Sequence, residues 1–393
     1  MKNSLLIISL LTIGSASEVK FYVNPSHPPP EMGMTETATN LISFYDLLDY
    51  AICKGIEPLR LRGPFYRFAK LILWDISNIN WLETTLHELG HGQCIVEEFG
   101  LDVAYYLPYN YLPLAPLLGL KHPYFMVSFP YSSSEEDASC EDRVLIAQCG
   151  IEAENVAARL LRRRLYGTRT GKPTDFMWSI LTEAGAVSYI LKGKIGDVGS
   201  WLDGMVTLKT GDSIPSLEEM ERLYKNIRRE AVAFSLLNPP FWQSLYYTLS
   251  LPFSDSSQAM VSMLRVGGIQ FMPAFSYGLT SLGTERYFEV YWRSDSFYGR
   301  GYFGHLWRIA EPDAICGGVY VGGLSFRNLL FSIELHGWTG KKWGGALETE
   351  AGIRTPKSTF LIGAGAKSAG YLQGLPYNKA VWFRLGLNVR LGE

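Results

Sequence analysis

Trp81 to Phe99 reads WLETTLHELGHGQCIVEEF, a stretch whose apolar spacing predicts an amphipathic α-helix. At about 100° per residue, one side of this helix collects a core stripe made of Leu82, Leu86, Leu89 and Val96. His87 and His91 project together from a different face, because residues four apart lie one turn above each other. Gly100 is a usual helix-stop residue, so we expect the helix to end beside Phe99.

The pattern His87-Glu88-Leu89-Gly90-His91 places metal-binding side chains on this helix. Two neutral imidazoles one turn apart can bind the same metal ion. A site with these imidazoles, one further protein ligand and one water is the catalytic zinc pattern, in which the metal lowers the pKa of the water to about 7. Glu88 can hydrogen-bond that water and take its proton.

Gly90 and Gly92 stand beside the histidines, although glycine costs about 1 kcal/mol against alanine inside a helix. We therefore expect another helix or a substrate backbone to approach this helix closely.

The five-residue pattern resembles the motif of the zincin metallopeptidases. This resemblance covers one helix and extends at most to a second. It implies a helical zincin-like domain, Zn²⁺ held by His87 and His91, Glu88 as general base, and a protein or peptide substrate.

The third zinc ligand is sought in a later helix, in the stretch from Cys149 to Ala158. At helical spacing Glu152 falls on a polar face with Asn155 and Arg159, where a solvated carboxylate suffices. Glu154 falls among small apolar residues on the face expected to be buried, where coordination to a cation offsets the cost of burying its charge. We therefore choose Glu154 as the third ligand and keep Glu152 in reserve.

With Glu154 as ligand, the arrangement resembles the glutamate-ligand branch of the zincins, although the common second motif Asn-Glu-x-x-Ser-Asp is not present. A rival lies in Trp201-Leu202-Asp203-Gly204, which is similar to the Leu-Asp-Gly motif of intramembrane zinc proteases. That family needs several spanning helices, so Asp203 is interpreted as a turn residue. Asp197 receives the same interpretation.

Length and charge limit the other classes of function. The chain has 393 residues, enough for two domains, and a net charge of -2. Residues 159 to 164 are rich in arginine but are interpreted as a solvated helix face, so we expect no nucleic-acid partner.

The first residues are typical of an export signal. Lys2 precedes an apolar run from Leu5 to Ile13, and the small residues Gly14 to Ser17 follow it. We interpret residues 1–17 as a signal peptide, which predicts an exported protein: periplasmic or outer-membrane if bacterial, otherwise secreted.

Residues 18–255 are predicted to be mainly helical and to carry the metallopeptidase-like site. Two uncharged stretches, Val103 to Leu120 and Ala231 to Ser254, are interrupted by prolines. The first suits an extended hairpin or an interfacial loop. The second is interpreted as buried or lying at a membrane surface.

Residues 256–393 change to a period of two, with turn residues between the runs. Phe288, Val290 and Trp292 alternate with Glu289, Tyr291 and Arg293, and similar alternation recurs near residues 347 and 383. The predicted fold class is α+β, with an antiparallel β domain after the helices. An outer-membrane barrel with lipid contact and a soluble sandwich both give this alternation.

The leading hypothesis is a secreted or envelope zinc-dependent peptidase, with zinc-bound water activated by Glu88. The extended segment Tyr105 to Tyr131 could offer an edge strand to a peptide. The alternatives are an envelope structural protein with a non-catalytic metal site, an intramembrane-protease-like hydrolase, and a zinc hydrolase for lipid or glycan.

Overall fold

The computed structural model describes residues 17–24, 33–56, 63–99, 104–106, 126–128, 139–192, 196–211, 216–254, 258–281, 283–308, 313–339, 343–370, 373 and 378–391. Residues 1–16, the body of the predicted signal peptide, and most of Val103 to Leu120 lie outside this part of the chain. The described residues combine helices with an antiparallel sheet, which confirms the predicted α+β class.

The helices are α1 (Met34–Ile56), α2 (Pro64–Lys70), α3 (Ile76–Phe99), α4 (Cys140–Thr168), α5 (Pro173–Lys192), α6 (Asp197–Thr210), α7 (Leu217–Leu237) and α8 (Pro239–Ser250). A π-helical turn, Leu71–Asp75, joins α2 to α3, and a 3-10 turn, Leu251–Phe253, follows α8. The helix predicted from Trp81 to Phe99 is α3, which begins five residues earlier and ends at the predicted residue. The buried residues Leu82, Leu86 and Leu89 confirm its core stripe.

The strands are β1 (Ser17–Val23), β2 (Ala104–Tyr106), β3 (Met126–Ser128), β4 (Thr170–Gly171), β5 (Ala259–Met260), β6 (Leu264–Val266), β7 (Ile269–Thr280), β8 (Gly283–Arg293), β9 (Tyr298–Arg308), β10 (Ala314–Phe326), β11 (Leu329–Trp338), β12 (Gly344–Arg354), β13 (Ser358–Lys367) and β14 (Ala380–Leu391). Ten of them form one antiparallel sheet in the order β1-β14-β13-β12-β11-β10-β9-β8-β7-β6. The first strand of the described chain therefore joins the sheet formed by its last residues. Among the described strands the two ends of this order, β1 and β6, do not pair with each other.

The two faces of this sheet differ in chemistry. Across β8 to β14 one face, here called the outer face, exposes apolar side chains such as Phe288, Ile333 and Phe383. The opposite or inner face carries buried charged residues, including Glu289 and Arg300. The alternation predicted for this region is therefore present, with the charges on the covered side.

Helix α4 lies against the inner face and supplies opposite charges to it. Arg162 is buried and lies 3.6 Å from a carboxylate oxygen of Glu289. Arg163 forms a 2.8 Å ion pair with Glu334 and stacks 3.4 Å above the ring centroid of Tyr320. The interpretation of this arginine run as a solvated helix face was wrong, because the sheet provides acidic partners for Arg162 and Arg163, and Asp46 of α1 and Asp175 of α5 provide them for Arg164.

Helical side chains satisfy backbone groups at both ends of the sheet. At β1, the hydroxyl of Ser43 binds the N–H and C=O of Lys20, and the amide of Asn40 binds those of Tyr22. At β7, the side-chain oxygen of Asn238, between α7 and α8, accepts the backbone N–H of Phe275 at 3.0 Å. These contacts attach the helices to the sheet.

None of the described helices is long and apolar enough to cross a membrane. The uncharged stretch Ala231 to Ser254 forms the end of α7, all of α8 and the 3-10 turn. Several of its apolar side chains are exposed: Leu236, Leu237, Trp242, Tyr246, Leu249 and Phe253.

Candidate metal centre

Helices α3 and α4 pack unusually closely at Gly90. A Cβ atom placed on Gly90 would lie 2.6 Å from the carbonyl oxygen of Cys149 and 2.7 Å from the Cβ of Ala153. Any larger residue would force the helices apart. The expected close approach of another helix to Gly90 is therefore confirmed.

One turn along, the histidines of α3 face Gly150 of α4. A Cβ atom at Gly150 would lie 2.5 Å from Nε2 of His87 and 2.6 Å from Nε2 of His91. Only glycine leaves the space into which both nitrogens point. The two rings are 4.8 Å apart between centroids and nearly perpendicular.

Both rings are oriented through their other nitrogen, Nδ1. In His91, Nδ1 lies 2.7 Å from the carbonyl oxygen of Ile146, and since a carbonyl only accepts, Nδ1 carries the proton. The Nε2 atom of the neutral ring then presents its lone pair. In His87, Nδ1 lies 2.8 Å from a carboxylate oxygen of Glu154, which favours the same tautomer.

A carboxylate from α6 completes the group on the Nε2 side. Oδ2 of Asp197 lies 2.9 Å from Nε2 of His87 and 3.4 Å from Nε2 of His91. Gly196 has a φ of 71°, so the chain turns sharply into α6 and Asp197 becomes its first residue. One ligand atom from each of the three side chains lies within 4.8 Å of the others.

The charges around His87 favour a cation. Burial disfavours its imidazolium, but hydrogen bonds with Asp197 and Glu154 outweigh burial and raise the pKa of His87 to about 10. Burial also opposes ionisation of Asp197, yet its contacts with His87 and His91 bring its pKa well below the usual range. Two carboxylates that stabilise a proton on His87 can equally stabilise a metal ion in its place.

Two further side chains border the group. Tyr189 of α5 stacks on the ring of His87, with centroids 4.4 Å apart and planes 10° from parallel. Burial raises the pKa of Tyr189, and the charges of Glu154, Asp197 and Glu88 raise it further. Glu88, half-buried beside His87 on α3, thus lies close enough to Tyr189 for its charge to affect the pKa of the phenol.

The three carboxylates considered from sequence occupy different places. Glu154 is buried, as its helical phase predicted, and lies at Nδ1 of His87 rather than at Nε2. Glu152 is also buried, so its interpretation as a solvated carboxylate was wrong. Asp203 lies within α6 and not in a turn, and neither it nor Glu152 belongs to the metal-ligand group found among the described residues.

Asp197 is the site residue that sequence reasoning passed over as a turn residue. A signal for it existed, because α6 has a buried stripe at helical spacing: Val198, Trp201, Leu202 and Met205. A helix inferred from that stripe would have placed Asp197 in its first turn, where acidic residues are favourable.

The residues of this group fit a zinc ion. Two imidazole nitrogens and a carboxylate oxygen are an established catalytic ligand set, and ligands about 2.0–2.2 Å from zinc in a tetrahedron stand about 3.3 Å apart. The distances of 2.9 and 3.4 Å from Asp197 to the histidines are close to that spacing. Gly150 leaves open the side from which a Cβ would otherwise fill the space.

Comparison with protein-family models, with curated proteins and with solved structures gave no match. The resemblance to zincins therefore rests on the His87–His91 motif and stays a prediction.

Proposed function

We propose that this protein is a zinc-dependent peptidase with its active centre at the junction of α3, α4 and α6. One observation carries the proposal: Nε2 of His87 and Nε2 of His91 point into the space that Gly150 leaves, and a carboxylate oxygen of Asp197 lies beside both of them. The Nδ1 atom of each ring is at the same time hydrogen-bonded, to Glu154 in His87 and to the carbonyl of Ile146 in His91. Such outer contacts fix tautomer and ring direction in catalytic zinc sites.

His87, His91 and Asp197 would hold the metal. A bound zinc ion would act as a Lewis acid and lower the pKa of water in its open position. Glu154 keeps the Nδ1 proton of His87 directed away from the metal. The prediction of Glu154 as the direct ligand remains the alternative to Asp197.

Glu88 is proposed as the general base. It follows His87 on α3 and is half-buried, so its carboxylate can take a proton from water and return it to the leaving amine. Tyr189, stacked on His87, limits the space on one side of the centre.

A peptide substrate is supported by the short ribbon beside α3. Strands β2 and β3 pair antiparallel, and β3 contacts α3. In a two-stranded ribbon each strand has one edge that its partner does not cover, and an extended peptide can add there by main-chain hydrogen bonds.

The number of protein ligands favours catalysis over a structural metal site. Structural zinc sites are closed by four protein ligands, whereas catalytic sites keep a position open. Within the described residues the group contains two histidines and one aspartate.

Glu88→Gln is the direct test of the proposal. The amide cannot accept the proton, so we expect full zinc content and loss of peptide hydrolysis, measured by metal analysis and by mass spectrometry of a peptide mixture. Glu218→Gln, an exposed change on α7, serves as the matched control and should keep both. Wild-type activity in Glu88→Gln, or a purified wild-type protein that binds no zinc, would overturn the proposal.

A further inference from the structure

The outer face of the sheet is apolar over an unusual extent. From β10 to β14 the outward positions of the described strands carry no charged residue, and Thr349 and Ser358 are their two polar side chains. Their large apolar side chains are between 37% and 71% exposed and include Ile315, Ile333, Leu335, Leu347, Ile353, Phe360, Ile362, Val381, Phe383 and Leu385.

This surface is larger than a soluble monomer normally leaves in water. With Phe288 and Phe303 on β8 and β9, these side chains expose on the order of 1,000 Å² of apolar area, against about 300–600 Å² for the largest patch of a typical monomer. Roughly 800 Å² per partner is enough for a stable complex. The face therefore requires a cover.

The charged side chains of this sheet lie on its covered face, whereas in a soluble protein they usually lie on the face exposed to water. Its ion pairs are buried between sheet and helices, as in the 2.7 Å contact of Arg300 with Glu289. Arg384 of β14 likewise pairs with Glu36 of α1 at 3.1 Å. From β10 to β14 charged groups point into the molecule and apolar groups away from it, the arrangement that a hydrocarbon solvent selects.

In hydrocarbon every backbone N–H and C=O group needs a hydrogen-bond partner within the protein, and the sheet meets this requirement. Strands β8 to β14 are each paired on both sides, so their N–H and C=O groups are used within the sheet. Strand β1 has a paired strand on one side. On its other side, Ser43 and Asn40 form hydrogen bonds with the backbone N–H and C=O groups of Lys20 and Tyr22.

The height of the face matches a bilayer core. At about 3.4 Å per residue, the outward positions from Leu329 to Gly337 on β11 extend over roughly 27 Å along the strand, close to the apolar band of about 25 Å in membrane-spanning sheets. Trp343, 86% exposed, stands just before β12 at one end of this band, where aromatic side chains meet the headgroups.

We propose that the outer face of β10 to β14, with the neighbouring Phe288 and Phe303, lies against the acyl chains of a lipid bilayer. A protein interface of this size normally carries a hydrogen bond for every 100–200 Å² and a polar rim. Thr349 and Ser358, the latter at the very end of β13, are the two polar side chains on the outward positions of β10 to β14, so the face can exclude water but has little with which to specify a protein partner. The proposal does not depend on the zinc site.

The test is flotation of the full chain with phosphatidylcholine vesicles after dilution from detergent. Leu335 and Leu347 are paired across β11 and β12 and both face outward. Leu335→Asp with Leu347→Asp should lower the vesicle-bound fraction at least tenfold, because two carboxylates would enter the hydrocarbon. The matched control, Leu217→Asp, changes an exposed leucine of α7 away from the sheet and should float like the wild type.

Circular dichroism in detergent keeps the test decisive if the double variant misfolds. In that case Phe383→Asp, on the outward side of β14, replaces it. Flotation lost in a variant that keeps its strand signal supports the proposal. A wild type that stays monomeric in plain buffer without vesicles overturns it, as does a dimer in plain buffer that the aspartates dissociate.

Discussion

The two ring nitrogens of His87 face two different carboxylates, and this separates the roles of Glu154 and Asp197. Glu154 at Nδ1 can only accept the proton of the ring, whereas Asp197 lies on the Nε2 side that the lone pair of His91 also faces. A side chain that binds metal directly and one that orients a ligand respond differently to loss of charge.

Substitution by the amide distinguishes these roles. Glu154→Gln keeps an oxygen that accepts the Nδ1 proton, so we expect zinc affinity close to wild type, while Glu154→Ala should lower it about 10–100-fold. Asp197→Asn and Asp197→Ala should both lower it by more than that, because a charged ligand is lost. Zinc titration by calorimetry measures the ranking, with Asp203→Asn on α6 as the control. If Glu154→Gln proves worse than Asp197→Asn, Glu154 is the direct ligand, as the sequence suggested.

At the scale of elements, Glu350 joins β1 to the rest of the sheet. Its carboxylate accepts a 2.8 Å hydrogen bond from Lys20 and another from the hydroxyl of Tyr22, both on β1. Burial raises the pKa of Glu350, but Lys20 and Arg384 outweigh burial and bring the pKa to about 2. The ionised form therefore stabilises the folded chain.

This pKa predicts where stability depends on pH. Because the pKa falls from 4.5 to about 2 on folding, the contribution is complete above pH 4.5 and is lost as the pH falls towards 2. Glu350→Gln should lower the free energy of unfolding by roughly 3 kcal/mol at pH 7, and the deficit should shrink below pH 4.5. Urea unfolding at several pH values measures it, with Glu218→Gln as the exposed control. A deficit that stays constant down to pH 2 would contradict the prediction.

Sequence periodicity located most elements but could not assign the faces of the sheet. The alternation near Phe288 and Phe383 identified β8 and β14, yet period two is the same whether charges point to water or into the molecule. The contacts of α4 and α1 with the inner face, such as Arg163 with Glu334 and Glu36 with Arg384, show which side is covered. Helix α6 has a weaker sequence signal, because Gly199 and Gly204 lower its intrinsic helix propensity.

At the scale of the whole molecule, α4 connects the metal centre to the sheet. Its first half provides the carbonyl of Ile146, the space at Gly150 and the carboxylate of Glu154. Its second half places Arg162 and Arg163 against the acidic residues of the inner face. A single helix therefore belongs to both halves of the predicted two-domain division at residue 255, which remains a prediction.

If α4 is shared, zinc should stabilise the sheet as well as the site. A ligand at about 100 times its dissociation constant adds roughly 2.7 kcal/mol to the free energy of unfolding. We therefore expect zinc to shift the loss of strand circular dichroism and the release of metal together, in one coincident urea transition. Arg163→Met should lower both midpoints, whereas His87→Ala should remove the response to zinc and leave a single transition. The contrary outcome is that zinc is released at a lower urea concentration and does not change the midpoint of the strand signal. The ion pairs of α4 would then not couple the two halves, and each half would unfold independently.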